Sequence, residues 1–197
     1  LNRPGAYEVP CGITLGELID DYAGGMKDGV PLLAVALSGP SGGFLPALWS
    51  DAKIKVLDED GNETGKFKFP HLTTTPTDIR QLPLDIEASR ALNFMLGAGI
   101  VVYGATADIL DQALSCSQFY QRESCGKCVP CRLGSRKMVD MATRLSEPNA
   151  DQSLGEEFIE HANLLSKIMR TTSICGLGQV ASEPLRTYLR YFHPSKR

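Results

Sequence analysis

Short apolar runs separated by turn signals mark the first half of the chain. Thr14 followed by Glu17 is the pattern of a capping box, which predicts a short helix that ends at Gly24–Gly25. PLLAVALSG, residues 31–39, is a continuous apolar run of strand length, and GPSGG turns the chain out of it. GIVVYG, residues 99–104, predicts a last short buried strand.

The segment between these two strands predicts a hairpin and a linker. KIKVL and KFKF alternate apolar and basic residues around the turn DEDGN, which predicts a β-hairpin at about residues 50–70. The acidic turn resembles a calcium-binding loop, but it lacks the full ligand spacing and the terminal glutamate, so a plain hairpin is preferred. Residues 71–85 are rich in threonine and proline and predict a linker.

Beyond GIVVYG the apolar positions follow the period of a helix. Two helical stripes consist of Ile109, Ala113, Cys116 and Tyr120 and of Phe158, Ala162, Leu165 and Met169. The segment from Arg132 to about Ser146 and the terminal EPLRTYLRYF are also predicted to be helical. The pattern therefore predicts a small α/β domain, a linker and then a bundle of four helices.

Composition and charge are those of an ordinary globular protein, with 197 residues, 43% apolar and 22% charged. The net charge of −3 gives no reason to expect binding to nucleic acid or to an anionic membrane. No apolar run approaches the roughly 20 residues that cross a bilayer, and the first ten residues lack the blocks of a signal peptide. Six cysteines are too few for a disulfide scaffold of this length, so a reducing compartment, the cytoplasm or the mitochondrial matrix, is expected.

The sequence ESCGKCVPCRLG places three cysteines at intervals of three, and a fourth follows in the distant TSICGLGQ. These are Cys125, Cys128, Cys131 and Cys175. Sulfurs three residues apart in a tight loop point to one centre, which argues against disulfides. Structural zinc usually takes two paired knuckles, whereas here one loop supplies three ligands. A catalytic thiol is also disfavoured, because the histidines, each predicted at the surface or at a helix cap, lie far from the motif: His71, His161 and His193.

The three-plus-one arrangement suits a [4Fe–4S] cluster, because the loop reaches three irons and the remote residue closes the fourth. Gly126 permits close approach of the backbone to a bulky anionic cofactor, and Lys127 and Arg132 can offset its charge. With four thiolates no iron stays open for a substrate, so the site is predicted to transfer electrons. Cys116, predicted to pack on its helix, and Cys11, predicted to be a small buried residue in a PCG turn, are not assigned to the cluster.

These motifs resemble the C-terminal part of the NADH-oxidising flavoprotein subunit of respiratory complex I. The same module occurs in NAD-reducing hydrogenases and NAD-linked formate dehydrogenases. The family pattern is E-S-C-G-x-C-x-P-C-R-x-G followed by a distant S/T-x-C-x-L-G, and this chain matches it almost residue for residue. LNRPGAYEVPCGITLGELIDDYAGG with LSGPSGGFLP resembles the soluble-ligand-binding β-grasp (SLBB) domain of that family, and LPLDIEASRALNFMLGAGIVVYG resembles the join to the cluster domain.

The resemblance implies an α+β fold, a ubiquitin-like β-grasp domain followed by a four-helix bundle that holds a [4Fe–4S] cluster. The β-grasp domain is expected in residues 1–82 with a hairpin insertion near 50–70, a connecting segment and strand in 83–105, and the helical cluster domain in 106–197. The four cysteines of the motif are expected to be the cluster ligands. The cluster is expected to pass single electrons from a reduced flavin to further iron–sulfur centres. FMN and NAD are then expected in the complex but not on this chain, which begins where the family's flavin domain would end.

No nucleotide-binding motif is visible in this chain. GAGIVVYG does not match G-x-G-x-x-G, and GPSGG lacks the following Lys-Ser/Thr of a phosphate loop. The sequence therefore predicts an electron-transfer module of a multi-subunit oxidoreductase, not catalytic alone, whose partners are other redox subunits carrying flavin and iron–sulfur clusters. Such a module would be at most peripheral to a membrane. Two alternatives are a docking module in which the metal site only stabilises the bundle, and a complete NADH dehydrogenase whose nucleotide site the sequence does not reveal.

Overall fold

A computed structural model describes residues 1–49, 55–57, 63–67, 76–92, 94–148, 150 and 153–194. The chain forms two compact units, each with its own core. Unit one comprises Leu1–Val35, Leu45–Ala98 and Val102–Thr106, and unit two comprises Ala36–Phe44, Gly99–Val101 and Ala107–Arg197.

The first part of the chain contains short helices and strands. Its helical elements are α1 (Leu15–Glu17), a π-helical turn (Leu18–Tyr22), two 3₁₀ turns (Lys27–Gly29 and Ile79–Gln81) and α2 (Ile86–Leu92). Its strands are β1 (Leu32–Pro40), β2 (Leu45–Pro46), β3 (Leu48–Trp49), β4 (Lys55–Leu57), β5 (Glu63–Phe67), β6 (Thr77–Asp78) and β7 (Val101–Gly104). The remainder is helical and consists of α3 (Ile109–Glu123), α4 (Val129–Leu145), α5 (Ser153–Thr172), α6 (Gly176–Val180) and α7 (Glu183–Tyr191).

The described strands form three small sheets. One sheet has the order β2-β1-β7, and the other two are the pairs β3-β6 and β4-β5. The β4-β5 pair is antiparallel with Lys55 opposite Phe67, which confirms the strand pairing of the predicted hairpin; its turn, residues 58–62, lies outside the described residues. The two predicted strands are confirmed as β1 and β7, but only β1 is buried, because Val101 of β7 is exposed.

The core of unit one includes a segment that composition alone predicts to be a linker. Residues 76–85 contain β6, which pairs with β3, and a 3₁₀ turn. Ile79 and Leu82 are buried, and the carbonyl of Leu82 accepts a hydrogen bond from the N–H of Leu15 at 2.9 Å. The linker prediction is therefore wrong for these residues, because two well-spaced apolar side chains anchor a segment otherwise rich in threonine and proline. The predicted linker's first residues, 71–75, lie outside the described residues.

Unit two is built on four long helices whose contacts close a cycle. Helix α3 packs on α4, α4 on α5, α5 on α7, and α7 on α3. The four predicted helices are confirmed, whereas the short helices α2 and α6 were not predicted. On α3 the buried position is Ser117 rather than its neighbour Cys116, which is half-buried.

The GPSGG turn belongs to unit two and is fixed there by specific hydrogen bonds. The Ser41 hydroxyl lies 2.9 Å from the Tyr120 hydroxyl, and the N–H of Phe44 donates to Thr187 Oγ1 at 2.8 Å. Gly43 has a φ of 63°, and a Cβ there would lie 2.8 Å from the carbonyl oxygen of Glu183. The glycine is therefore required by packing on α7, and the described turn has a structural role.

None of the described helices combines the length and the apolar character needed to cross a bilayer.

The capping box predicted at α1 is present in full. The N–H of Glu17 donates to Thr14 Oγ1 at 3.1 Å, and the N–H of Thr14 donates to the Glu17 carboxylate at 2.7 Å. We expect Thr14→Ala to lower the free energy of unfolding of unit one by about 1 kcal/mol, because one helical N–H loses its acceptor. Urea unfolding followed by fluorescence of Trp49, the single tryptophan, reports on this unit. Thr171→Ala in α5 is the control. An equal loss of unfolding free energy in both variants would contradict a capping role for Thr14.

The carboxylate of Glu17 adds a pH dependence to this cap. Its pKa is lowered, first by the backbone N–H of Thr14 and then by the Thr14 hydroxyl. A carboxyl group with a lower pKa in the folded state adds stability above its unfolded pKa and loses it as the pH falls through its folded pKa. We therefore expect Glu17→Gln to be less stable than the unsubstituted protein at neutral pH and the difference to vanish on acidification. Unfolding midpoints measured across that range check this, and a pH-independent difference would contradict it.

Candidate metal centre

The cysteine loop, residues 125–131, follows Ser124, the C-cap of α3, and extends into the first turn of α4. Gly126 adopts a left-handed conformation with a φ of 72°, which favours glycine. Its N–H donates to Ser124 Oγ at 3.3 Å, and its carbonyl accepts from Arg132 Nη1 at 2.5 Å. The loop is therefore held from both sides, by a serine that precedes it and by an arginine in the first turn of α4.

Each of the four predicted site residues occupies a helix terminus or the loop beside one. Cys128 is the N-cap of α4 and Cys131 lies in the first turn of that helix, whereas Cys175 is the N-cap of α6. Cys131 is buried, Cys128 is half-buried, and Cys125 and Cys175 are exposed. All six cysteines of the chain have free thiols.

The structure brings the remote segment against the first turn of α4. The peptide N–H of Ile174, next to Cys175 in sequence, faces the sulfur of Cys128. A Cβ placed on Gly178 would lie 2.8 Å from Cys131 Cβ and 2.7 Å from Ser173 Cβ. Helix α6 thus approaches α4 at a position where only a glycine fits.

Local electrostatics differ between the two neighbouring cysteines of α4. The pKa of the Cys128 thiol is lowered, first because the N–H of Ile174 faces its sulfur and then because the N–H of Cys131 does. The pKa of the Cys131 thiol is raised, first by burial and further by the negative charge of Cys128, Cys175 and Cys125. All three other sulfurs therefore lie within electrostatic range of Cys131. The hydroxyl of Ser124, 3.2 Å from Cys131 Sγ, opposes this effect.

The residues present fit a thiolate-ligated centre. Four thiolates are the donor set of zinc or of an iron–sulfur cluster, and their mutual repulsion requires a compensating cation. The N–H groups of Ile174 and Cys131 and, more weakly, the Ser173 hydroxyl lower the pKa of the Cys128 thiol. The Ser173 Oγ is buried and has no partner at hydrogen-bond distance among the described residues. Among the described residues, no three Cys, His, Asp or Glu side chains converge closely enough to hold a single metal ion.

The cysteines and histidines outside the motif follow the predictions only in part. Cys11 is exposed, so the prediction of a buried residue is wrong. His161 lies at the surface of α5 beside Glu157, as predicted. His193 is buried against Gly155, so it is not at the surface, but it follows the C-cap of α7 and its N–H donates to the carbonyl of Tyr188 at 3.1 Å, which agrees with the capping alternative. His71 lies outside the described residues.

Three residues that contribute to the site were not predicted from sequence: Ser124, Ser173 and Gly178. Two of them have a recognisable signal, because a serine stands directly before Cys125 and another stands two residues before Cys175. A short polar side chain so close to a cysteine ligand can reach a sulfur. No comparable signal marks Gly178, whose role depends on the packing of α6 against α4.

Apolar side chains are exposed around the cysteines. Ile174 is 78% exposed, and Val129 and Leu133, which are four residues apart on α4, are 53% and 55% exposed. All three lie close to a motif cysteine in sequence: Val129 follows Cys128, Leu133 stands two residues after Cys131, and Ile174 precedes Cys175. We call these three residues the apolar rim.

The close packing at Gly178 is testable without any metal. We expect Gly178→Ala to lower the free energy of unfolding by about 1–3 kcal/mol, because the added methyl overpacks Ser173 and Cys131. Gly176→Ala, in the same helix, meets nothing within 4 Å and is the matched control. Chemical unfolding followed by far-UV circular dichroism measures both variants. Equal stability of the two would show that α6 does not approach α4 as closely as described.

Comparisons with known proteins agree with this geometry. Residues 111–196, which contain all four cysteines, match the family described as the NADH-ubiquinone oxidoreductase-F iron-sulfur binding region. The chain is 30% identical over 193 residues to the F subunit of the NADH-quinone oxidoreductase of Rickettsia akari (strain Hartford), covering 98% of this chain and 38% of that relative. It is also 30% identical over 193 residues to the HndC subunit of the NADP-reducing hydrogenase of Solidesulfovibrio fructosivorans, covering 98% of this chain and 32% of that relative.

A solved structure shares the fold. It is the crystal structure of an NAD⁺-reducing [NiFe]-hydrogenase in the H₂-reduced state, with a TM-score of 0.65 and 24% sequence identity. The match covers 98% of this chain and 26% of the hydrogenase chain. The resemblance seen in the sequence is thus confirmed, although the chain spans well under half the length of these relatives. Residues 111–196 thus match the NADH-ubiquinone oxidoreductase-F iron-sulfur binding region, and the chain is similar to an F subunit of an NADH-quinone oxidoreductase and to a subunit of an NADP-reducing hydrogenase.

Proposed function

We propose that this chain is an electron-transfer module of a multi-subunit oxidoreductase and that Cys125, Cys128, Cys131 and Cys175 hold one [4Fe–4S] cluster. The observation that carries the proposal is the approach of residues 174–178 to Cys128 and Cys131. This approach supports Cys175, more than forty residues away in sequence, as the fourth ligand, because its charge acts on Cys131.

Iron is favoured over zinc by the kind of family that the chain matches. Four thiolates suit both metals, and the matched region is one that binds a 4Fe–4S cluster. The spacing supports the same choice, since the loop contributes three ligands and α6 contributes one. A zinc ion that only stabilises the helices is the alternative against which the proposal is tested.

The chain's own residues bind, shield and neutralise the cluster. The cysteine loop and the N-terminus of α6 supply the ligands, and the burial of Cys131 beneath Gly178 excludes water from one side. When bound, a [4Fe–4S] cluster supplies reversible one-electron transfer. Arg132 and the N-terminal N–H groups of α4 and α6 place positive charge beside the thiolates.

The exposed side of the centre is the proposed route for electrons. Cys125 and Cys175 are exposed, and the apolar rim adjoins them. An apolar surface beside a redox centre suits a partner protein that covers it. We propose that this partner carries a flavin or another iron–sulfur cluster, and that FMN and NAD bind elsewhere in the complex. The names of the relatives, subunits of an NADH-quinone oxidoreductase and of an NADP-reducing hydrogenase, support a partner of this kind.

The finer description of the fold is also a proposal. The closed cycle of contacts among α3, α4, α5 and α7 supports a four-helix bundle for residues 106–197. For residues 1–82 we propose the SLBB β-grasp domain, with the hairpin near residues 50–70 as an insertion and residues 83–105 as the connection. The sheet β2-β1-β7 supports this division, because β1 and β2 lie in residues 1–82 and β7 lies in the connection.

Loss of the remote ligand tests the proposal. We expect Cys175→Ala to yield a labile or three-iron centre, because the fourth iron loses its thiolate, and to impair electron relay. The full chain is loaded anaerobically with iron and sulfide and measured by iron content, visible absorption and low-temperature EPR after reduction. Cys116→Ala is the control; it should retain the cluster and cost about 1–2 kcal/mol of stability.

Three results would overturn this assignment. Zinc without iron in anaerobically prepared protein would favour the stabilising metal site. A fully loaded chain with no cubane signal would exclude electron transfer through this centre. Loss of the chromophore in Cys116→Ala but not in Cys175→Ala would show that the ligand set is wrong.

A further inference from the structure

We propose that the hydroxyl of Ser173 donates a hydrogen bond to a sulfur of the cluster and raises its reduction potential. This inference rests on the proposed function, because it requires a cluster held by the four cysteines. It concerns a residue that is not a ligand and that stands two positions before Cys175.

The first observation is a buried hydroxyl without an acceptor. Ser173 is 8% exposed, and its Oγ makes no hydrogen bond within the described residues. Buried polar groups in native proteins nearly always have partners, since an unpaired one loses its hydration without compensation. Ser135 Oγ is the other such atom among the described residues. What distinguishes Ser173 is its position beside Cys128, where a sulfur of the cluster can supply the missing acceptor.

The backbone of Ser173 is fixed, which leaves the hydroxyl as its free donor. Its N–H donates to the carbonyl of Met169 at 3.0 Å, continuing the hydrogen-bond pattern of α5. Its carbonyl accepts a hydrogen bond from Gln179 Nε2 at 3.4 Å. The backbone of the serine is thus anchored between α5 and α6, which fixes its Cβ beside Gly178.

The hydroxyl lies where the sulfur ligands converge. A Cβ placed on Gly178 would be 2.6 Å from Ser173 Oγ and 2.8 Å from Cys131 Cβ, so both side chains border the same small space. The hydroxyl is also near the sulfur of Cys128. The other hydroxyl at the site, that of Ser124, already lies 3.2 Å from Cys131 Sγ and 3.3 Å from the N–H of Gly126. Ser173 Oγ has no partner at hydrogen-bond distance among the described residues, and it adds to the backbone N–H groups that lower the pKa of the Cys128 thiol, so it is positioned to donate to a sulfur of this site.

The expected consequence is a change in potential. Reduction adds one electron to the cluster and makes its sulfurs better acceptors, so a donor stabilises the reduced form more than the oxidised form. Removing the hydroxyl should lower the ratio of reduced to oxidised cluster at a fixed ambient potential several-fold, up to about tenfold. A tenfold change corresponds to about 59 mV for a one-electron couple.

The experiment uses the full chain loaded with iron and sulfide. Ser173→Ala and Ser173→Gly remove the hydroxyl, and Ser173→Thr retains one. Ser117→Ala is the matched control, because Ser117 is also buried but its hydroxyl donates to the carbonyl of Ala113 at 2.7 Å. Dithionite supplies the electrons in a mediated titration followed by EPR, and resonance Raman spectra in H₂O and D₂O detect exchangeable donors to the sulfurs.

The outcomes separate this inference from the proposed function. The inference is supported if Ser173→Ala or Ser173→Gly lowers the reduction potential and the D₂O shift while the iron content is unchanged. In that case Ser173→Thr and Ser117→Ala should resemble the unsubstituted chain. Equal potentials in all loaded variants overturn it and leave the proposed function intact. If Thr assembles the cluster but neither Ala nor Gly does, the hydroxyl is required for assembly, and the tuning role is overturned. Failure of the unsubstituted chain to assemble a cluster overturns the proposed function and the inference with it.

Discussion

The close approach of α6 to the first turn of α4 is the contact on which the candidate centre depends. The cysteine loop places three sulfurs by local means, through a left-handed glycine and two hydrogen bonds. The fourth sulfur is delivered by α5, a helix of 20 residues that returns the chain to α4. Because Gly178 has no side chain, α6 comes near enough for the N–H of Ile174 to face the Cys128 sulfur. The four-sulfur arrangement is thus a product of tertiary packing.

Burial and hydrogen bonding act in opposite directions on adjacent ligands of this site. Cys131 is buried, and its environment disfavours a thiolate, whereas peptide N–H groups favour a thiolate at Cys128. Ligation requires both sulfurs to be deprotonated. A bound metal centre would offset the cost of a buried thiolate at Cys131, because its positive charge attracts that thiolate. The N–H groups at the starts of α4 and α6 would then add favourable interactions with the sulfurs. The same burial that opposes charge in the free chain would then keep water away from one side of a bound cluster.

Local signals in the sequence predicted the parts of the structure that local interactions determine. Thr14 and Glu17 predicted their helix because a capping box is complete within four residues, and the helical stripes predicted α3 and α5 because each buries one face. The segment at residues 76–85 misled composition-based reasoning, since burial of Ile79 and Leu82 depends on partners distant in sequence. The position of His193 at the end of α7 was foreseeable, but its burial was not, because the ring packs against Gly155 in the first turn of α5. The cysteine spacing predicted the candidate ligands, but the roles of Ser124, Ser173 and Gly178 became recognisable only from the packing of the helices.

The candidate centre is buried on one side and exposed to solvent on the other. On the side of Cys131, the glycine of α6 and the core of unit two separate the sulfurs from solvent. Cys125 and Cys175 are exposed, and so are the three residues of the apolar rim, which lie next to the motif cysteines in sequence. Single exposed apolar residues need no explanation, but three that adjoin the ligands of one centre form a surface of the kind that a partner covers. A partner protein seated there would exclude water from the exposed ligands and complete the shielding that the helices provide only from beneath. Under the proposed function, the buried side of the centre would hold the cluster and the exposed side would exchange electrons with the partner.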